Sequence, residues 1–500
     1  MLFQFYNNLW AKTCSINYID NSGIKINIVE FRGRTTMTNS NEYDVIILGA
    51  GPAGLSVASE LSKELKVLLF DKKETIDITT KSWLIPDMSI SIGEAEDILP
   101  FMKNGVKRFL ADTYSGEDVQ WQAHLKYHFA KEHELLAYWG ELVEQNGSKI
   151  LLNCWYQDSF ITKNGVTVST SEGDFKSKLL IDASGGHSPI RARYALTEDW
   201  YWWSVCGAVV EFPDGLPEGM QVGDYQLWQT FRDTNINLDE SLSHGRPVWE
   251  YEVLDENSAF VFIFYLGKYR VPHEDMEKVF THVLREEKST SDFHNTTITE
   301  FKHGWYPSGG PHSQQITGDR VTFIGTAGCW TSPCGWGVSF IVANYKKYAR
   351  QVIEAVNKEA LSKKQLNKII HLSTRAKYQV LLDQIATHFL SFASSSQLDQ
   401  FINLFNPKGP IGEAGPMMCE KLFTLTITEK EAILMLKAVI KSIGATELAK
   451  NIPKEDYLLL IGLLKDRVEV GIMDSLEKGL EHFKLNKHTL HEQSGFLLTD

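Results

Sequence analysis

Residues 43–71, YDVIILGAGPAGLSVASELSKELKVLLFD, constrain the fold more than any other stretch of the chain. Val45–Leu48 is an apolar run of strand length. Gly49, Gly51 and Gly54 follow in the spacing G-x-G-x-x-G. From Pro52 to Glu64, apolar residues recur at helical spacing (Ala53, Leu55, Val57, Ala58, Leu61). A second strand, Lys66–Phe70, ends on Asp71. Each residue type has a role in such a unit. Gly49 makes the tight turn, Gly51 lets the backbone approach a pyrophosphate, and Gly54 lets helix and strand pack closely. Pro52 and Ala53 open the helix, whose free N–H groups and partial positive charge face the phosphates. Asp71 stands where an acid accepts ribose hydroxyls. The pattern predicts a β-α-β unit holding a dinucleotide. A glycine turn in an ordinary α/β unit would leave Asp71 without a role.

A chain of 500 residues exceeds one domain on length alone. With 63 acidic against 50 basic residues the net charge is −13, which argues against nucleic acid as a partner. No apolar run reaches the roughly 18–20 residues of a membrane-spanning helix. The same charge opposes an anionic membrane surface unless a local patch compensates, so peripheral membrane contact stays open. The six cysteines are scattered without disulfide or zinc spacing, and the default compartment is a reducing cytoplasm. No metal site is expected. Residues 1–42 read as an N-terminal extension without a secretory signal, and Met37 is a second candidate start.

After Asp71 the chain passes Lys72, Lys73 and Lys81. Lys72 is either a phosphate partner or part of a solvated basic turn. Residues 124–144 read as an amphipathic helix. Leu179–Ile181 reads as a buried strand stopped by Asp182-Ala183-Ser184-Gly185-Gly186. Between about 200 and 305, aromatic residues crowd together and alternating runs recur at 206–212, 249–254 and 260–266, which predicts an antiparallel sheet with a large apolar wall. A further strand at 320–324 leads into Gly325-Thr326-Ala327-Gly328, then Pro333, Gly335, Trp336 and Gly337, then a helix from about Val338 to Val356. This is a second anion-friendly helix start. Cys329 and Cys334 flank it. Lacking C-x-x-C spacing or a neighbouring base, they read as buried small residues. Residues 357–500 are mostly helical by pattern, interrupted at 406–416.

These segments resemble the lycopene cyclase family, within the wider group of geranylgeranyl reductases, flavin-dependent halogenases and aromatic hydroxylases. The opening YDVIILGAGPAGLSVASEL fits the whole group. The sharper match is HGWYPSGGPHSQQITGDRVTFIGTAGCWTSPCGWGVSFIVANYKKYA, residues 303–349. The resemblance spans roughly residues 43–440 and implies FAD as the resident cofactor. The second turn would then lie by the flavin ring, with Gly325, Thr326, Pro333, Gly335, Trp336 and Gly337 in contact with the cofactor. The predicted architecture is α/β, α+β overall. It comprises a Rossmann-like FAD-binding domain over 43–350, an inserted substrate-binding sheet at about 200–305 and a helical region over 351–500. One departure stands out. Where lycopene cyclases carry an acidic cluster on a strand of the substrate sheet, this chain reads Phe262-Ile263-Phe264-Tyr265-Leu266.

Three functions compete. The first is an FAD-dependent enzyme acting on a large apolar substrate such as an isoprenoid or polyene. The second is a flavin-dependent monooxygenase or halogenase. The third is a flavin-binding protein without turnover. With no separate nicotinamide domain in the sequence, reducing equivalents come from outside, with NAD(P)H the candidate reductant. Glu250 and Glu252 share one face of a strand at period two and are the candidate acid/base residues, together with His312 after the Gly-Gly-Pro turn.

Overall fold

The computed structural model describes residues 41–76, 82–113, 115–194, 201–230, 247–308, 317–328, 330, 337–370, 386–387, 389–390, 393–423, 426–452, 454–464 and 470–483, and two short strands nearer the N-terminus. The chain divides into 1–41 and 42–500. In the first unit, Tyr18–Ile19 pairs antiparallel with Lys25–Ile26.

The larger unit is built on a mixed sheet. Its parallel core runs Lys149–Leu151, Val67–Phe70, Glu42–Leu48, Gly173–Asp182 and Val321–Phe323. The residues of these strands are near-continuous Val, Ile, Leu and Phe, as expected of strands covered on both faces. Val45, Ile46, Ile47, Leu68 and Leu69 are fully buried. Helix Pro52–Leu61 packs its buried Leu55, Val57 and Leu61 into one core with Trp139 of helix Glu132–Gln145 and Tyr345 of helix Gly337–Asn357. An antiparallel meander of Tyr156–Thr162, Gly165–Thr170 and Gly173–Asp182 extends the sheet. The Rossmann-like α/β reading of the sequence holds.

The aromatic-rich stretch forms a seven-stranded sheet. Its order is Thr297–Ser308, Tyr201–Glu211, Ser258–Gly267, Val248–Val253, Asp224–Thr230, Arg108–Asp112 and Asp118–Gln122. Two of these strands come from 108–122, well ahead of the segment where the sequence places the sheet. One face carries Cys206, Trp249 and Ile263, covered by Val279 and Phe280 of helix His273–Arg285. The other carries Phe109, Trp121 and Tyr225, packed with Phe405, Leu422 and Met435 of the C-terminal helices. A buried aromatic ring removes on the order of 150–250 Å² from water, worth a few kcal/mol, so both faces are held by substantial apolar burial.

One expectation is corrected. Residues 127–131 are not the start of a helix but a strand, Tyr127–Lys131, flanked by Ser82–Pro86 and Met102–Asn104 in a three-stranded sheet. The helix begins only at Glu132. Tertiary pairing on both edges overrides the helical spacing of the apolar residues. The C-terminal helices include Ser395–Asn403, Ala414–Phe423 and Glu429–Ile443. Among the described residues, no helix is long and apolar enough to cross a membrane, and no group of three or more His, Cys, Asp or Glu is placed to hold a metal ion.

Candidate active site

Three loops meet at the carboxyl ends of the parallel strands, where open α/β sheets bind their ligands. The first is the glycine turn. Gly49 has φ +111°, in the region that favours glycine. A Cβ on Gly54 would stand 1.9 Å from the Gly49 carbonyl oxygen, so helix and turn touch backbone to backbone. Gly51 differs: a Cβ there meets nothing within 4 Å. The space before the helix start is open, as a pyrophosphate cradle requires. Asp71 at the end of the second strand is only partly exposed. Its Oδ2 accepts from the Ala50 N–H at 2.6 Å and its Oδ1 from the Lys73 N–H at 2.9 Å. The carboxylate therefore braces the turn. Lys72 beside it is exposed.

The second loop follows Asp182, which is fully buried. Its carboxylate accepts from the Ser184 N–H at 3.0 Å, from the Ser184 hydroxyl at 2.5 Å and from the Ser188 hydroxyl. Burial pushes this carboxyl upward against the opposing pull of the serines and Arg191. The third loop is the turn Gly325–Gly328. Gly325 has φ +59°, and a Cβ there would lie 2.8 Å from the Ala53 Cβ. The second turn is thus in contact with the start of the first helix. Arg191 ties it to the middle loop, donating through Nη1 to the Ala327 carbonyl at 3.2 Å. Thr326 is partly exposed in this turn, and Gly337 begins the helix that follows. Pro333, Gly335, Trp336 and His312 lie outside the described residues, as do Cys329 and Cys334.

A pocket lies between the seven-stranded sheet and the C-terminal helices. Trp121, Trp203, Trp228 and Phe264 line it from the sheet, and Leu398, Phe401, Phe405 and Leu422 from the helices. Its cavity volume is about 30 Å³, so a large ligand requires the walls to part. Glu250 is its one ionisable lining residue among the described ones. Glu250 is 3% exposed, and its Oε2 accepts from the Tyr225 hydroxyl at 3.0 Å. Burial pushes its carboxyl well above the usual carboxylate range despite that hydrogen bond. Glu250 pairs in register with Phe262, so it shares a sheet face with Phe264 from the neighbouring strand. Tyr265 points the other way, into the core beneath helix His273–Arg285. Glu252 shares the Glu250 face at period two but does not line the pocket. Its carboxyl is pushed up to about 8 by burial, with Lys302 pulling the other way, and its Oε1 has no hydrogen-bond partner among the described residues.

The helix begun by Gly337 touches the core that backs the pocket. The Ser339 hydroxyl, in the helix begun by Gly337, donates to the Leu84 carbonyl at 3.2 Å. Leu84 belongs to the same core as Trp121 and Phe109.

Sequence reasoning missed Glu420, which joins the C-terminal helices to the sheet. It is 1% exposed. Its carboxylate accepts from Trp121 Nε1 (2.9 Å), the His124 N–H (3.0 Å), the Leu125 N–H (2.9 Å) and the Tyr127 hydroxyl (2.9 Å). Its partners lie 293–299 residues away along the chain, so no local pattern marks it. Glu420→Ala is expected to leave several buried donors unpaired and to cost about 3–5 kcal/mol. Chemical denaturation measures the loss, and a change under about 1 kcal/mol would show that this helix is not fastened here.

The family model of an NAD(P)-binding Rossmann-like domain matches residues 47–93. No curated protein matches the chain. Solved structures do. A geranylgeranyl bacteriochlorophyll reductase-like protein from Thermoplasma acidophilum is 14% identical with a TM-score of 0.61, over 86% of this chain and 100% of that one. The halogenase PltM, solved with phloroglucinol and FAD, is 14% identical with a TM-score of 0.54, over 88% and 96%. The p-nitrophenol 4-monooxygenase PnpA from Pseudomonas putida is 14% identical with a TM-score of 0.56, over 77% and 99%. At these identities the likeness is one of fold.

Proposed function

We propose that this chain is an FAD-dependent enzyme acting on a large apolar substrate, of isoprenoid or polyene type, held between the seven-stranded sheet and the C-terminal helices. The observation that carries the reading is Glu250, a buried acid on the wall of an otherwise apolar pocket. The fit to FAD rests on the open position at Gly51 and on the contact of the Gly325 turn with Ala53. When bound, FAD supplies two-electron redox chemistry. The chain's own residues do the rest. The turns at Gly49–Gly54 and Gly325–Gly328, with Asp71, hold the dinucleotide. The aromatic walls bind the substrate and exclude water. Glu250, whose carboxyl burial raises above the usual carboxylate range and which Tyr225 steadies, gives a proton to the substrate. The reductant comes from outside, with NAD(P)H the candidate. Lycopene cyclisation itself is not the favoured reaction, because Phe264 and Tyr265 occupy the place of the family's acidic cluster.

A second reading, flavin monooxygenase or halogenase, is supported by the fold shared with PltM and PnpA. NAD(P)H oxidation by the FAD-loaded protein separates the two. Substrate-dependent oxidation that persists without O₂ fits the first reading, and a strict need for O₂ fits the second. No turnover with any reductant would contradict both and leave a flavin-binding protein.

A further inference from the structure

Taking the pocket as the substrate site, on which this inference rests, we propose that the C-terminal helices are a gate over it. They are hinged through Glu420 on the outermost strand of the seven-stranded sheet, and they swing away from Trp203 and Phe264 to admit an apolar substrate. The closed cavity of about 30 Å³ has room for little more than water, so binding turns on where its walls part. One edge is fastened by polar contacts. Strand Asp118–Gln122 is the outermost on that side. Trp121 in this strand donates to the buried Glu420 carboxylate, as do the His124 and Leu125 amides and the Tyr127 hydroxyl just beyond it. Just before the strand, the Ser115 N–H donates to Asp399 of helix Ser395–Asn403 at 2.9 Å. Apolar packing lies on the far side, where Leu390 rests against the cluster of Trp203, Val248, Phe264 and Leu266. Val205 and Phe262 flank that cluster and are half-buried, an apolar approach to the pocket.

The two edges differ in what opening costs. Parting at Glu420 strips a buried carboxylate of charge-assisted hydrogen bonds, which are directional and which an apolar ligand cannot replace. Parting at Leu390 exposes apolar surface, and an apolar ligand covers that surface again as it enters. The far edge is therefore the one that opens. The geometry makes a small motion sufficient. Five strand spacings separate the strand of Trp121 from the strand of Trp203, about 24 Å. A rotation of about 10° about the Glu420 edge lifts the helices by roughly 4 Å over Trp203, the van der Waals thickness of a planar carbon chain.

The test is thiol labelling of the FAD-loaded full chain with N-ethylmaleimide, read site by site by peptide mass mapping. Val119 and Val248 are 2% and 3% exposed, the first on the hinge strand and the second beside Leu390. Val119→Cys and Val248→Cys are mild changes of size. The native Cys154, fully buried in the Rossmann-like sheet, reports global unfolding. The thiol at position 248 is expected to label at least about tenfold faster than the thiol at position 119 and than Cys154. Glu420→Gln is expected to raise labelling at position 119 about tenfold and to leave position 248 within about threefold. Equal rates at the two positions, a faster rate at position 119, or labelling at position 248 no faster than at Cys154 overturns the proposal. So does an unchanged rate at position 119 in Glu420→Gln. A second measurement separates the gate from the parent reading. Diphenylhexatriene, a polyene that fluoresces in apolar surroundings, should enter at a rate that levels off with concentration, and Leu390→Ala should raise that plateau about tenfold. Uptake that never levels off, or a plateau that Leu390→Ala leaves unchanged, overturns the gate and leaves the substrate site standing. No uptake, with position 248 still labelled first, overturns the pocket as substrate site while the hinge stands.

Discussion

Gly51→Val is expected to leave the apoprotein folded and to weaken FAD binding by at least about 100-fold, ~2.7 kcal/mol. The two halves of this result have separate causes. Gly51 has φ −87° and ψ −176°, an extended conformation that valine adopts freely. A Cβ there meets nothing within 4 Å, so the folded chain has room for the side chain. In the proposed cofactor site that same space is the pyrophosphate's, and a branched side chain would fill it. Gly54→Val is the control with the opposite signature. Its Cβ would stand 1.9 Å from the Gly49 carbonyl oxygen, so it is expected to lower the unfolding temperature of the apoprotein itself. Thermal unfolding without cofactor, followed by FAD titration, distinguishes them. A Gly51→Val protein that holds FAD like the wild type would place the cofactor elsewhere.

Glu250→Gln is expected to retain FAD and to lose about 10²- to 10⁴-fold in turnover, the usual contribution of a positioned acid or base. Glutamine keeps the shape and can still accept from Tyr225, so a fall in rate reports the missing proton. The pH dependence sharpens the test. Burial raises the Glu250 carboxyl well above its ordinary value, so the acid form persists to higher pH than in an ordinary glutamate. Wild-type activity should fall only on the alkaline side, as Glu250 ionises, and that limb should vanish in the variant. Stability carries the same sign. The folded-state value lies above the unfolded one, so the contribution is complete below the unfolded value of about 4.3 and is lost as pH rises through the folded value. Glu250→Gln should therefore gain unfolding temperature over the wild type as the solution is made alkaline. Turnover within a few-fold of wild type would remove Glu250 from the chemistry.

The parts of the fold that could be read from the sequence are those specified locally. The glycine turn combines a positive φ at Gly49 with a close approach at Gly54, and only glycine meets both demands, so the spacing is visible in the chain. Helix Glu429–Ile443 is likewise local: its apolar spacing marks it as helical, and Thr428 and Glu431 cap it by exchanging hydrogen bonds. Strand Tyr127–Lys131 misled because its pairing partners at 82–86 and 102–104 decide its conformation. Strands Arg108–Asp112 and Asp118–Gln122 were missed for a related reason. They complete a sheet whose other strands begin beyond residue 200. At the site, period two placed Glu250 and Glu252 on one face. It could not show that Glu250 alone lines a pocket, because the opposite wall comes from helices well over 100 residues later. Glu420 is the extreme case, since its role exists only once its distant partners are assembled around it.

The most direct measurement is the identity of the resident cofactor. The protein is purified, its cofactor is released by heat, and the supernatant is resolved by chromatography with absorbance and mass detection. FAD in near-stoichiometric amount is the expected result, retained by Glu250→Gln and absent from Gly51→Val. Recovery of NAD(P), or of no nucleotide even after reconstitution with excess FAD, would contradict the assignment of the two glycine turns as a flavin site.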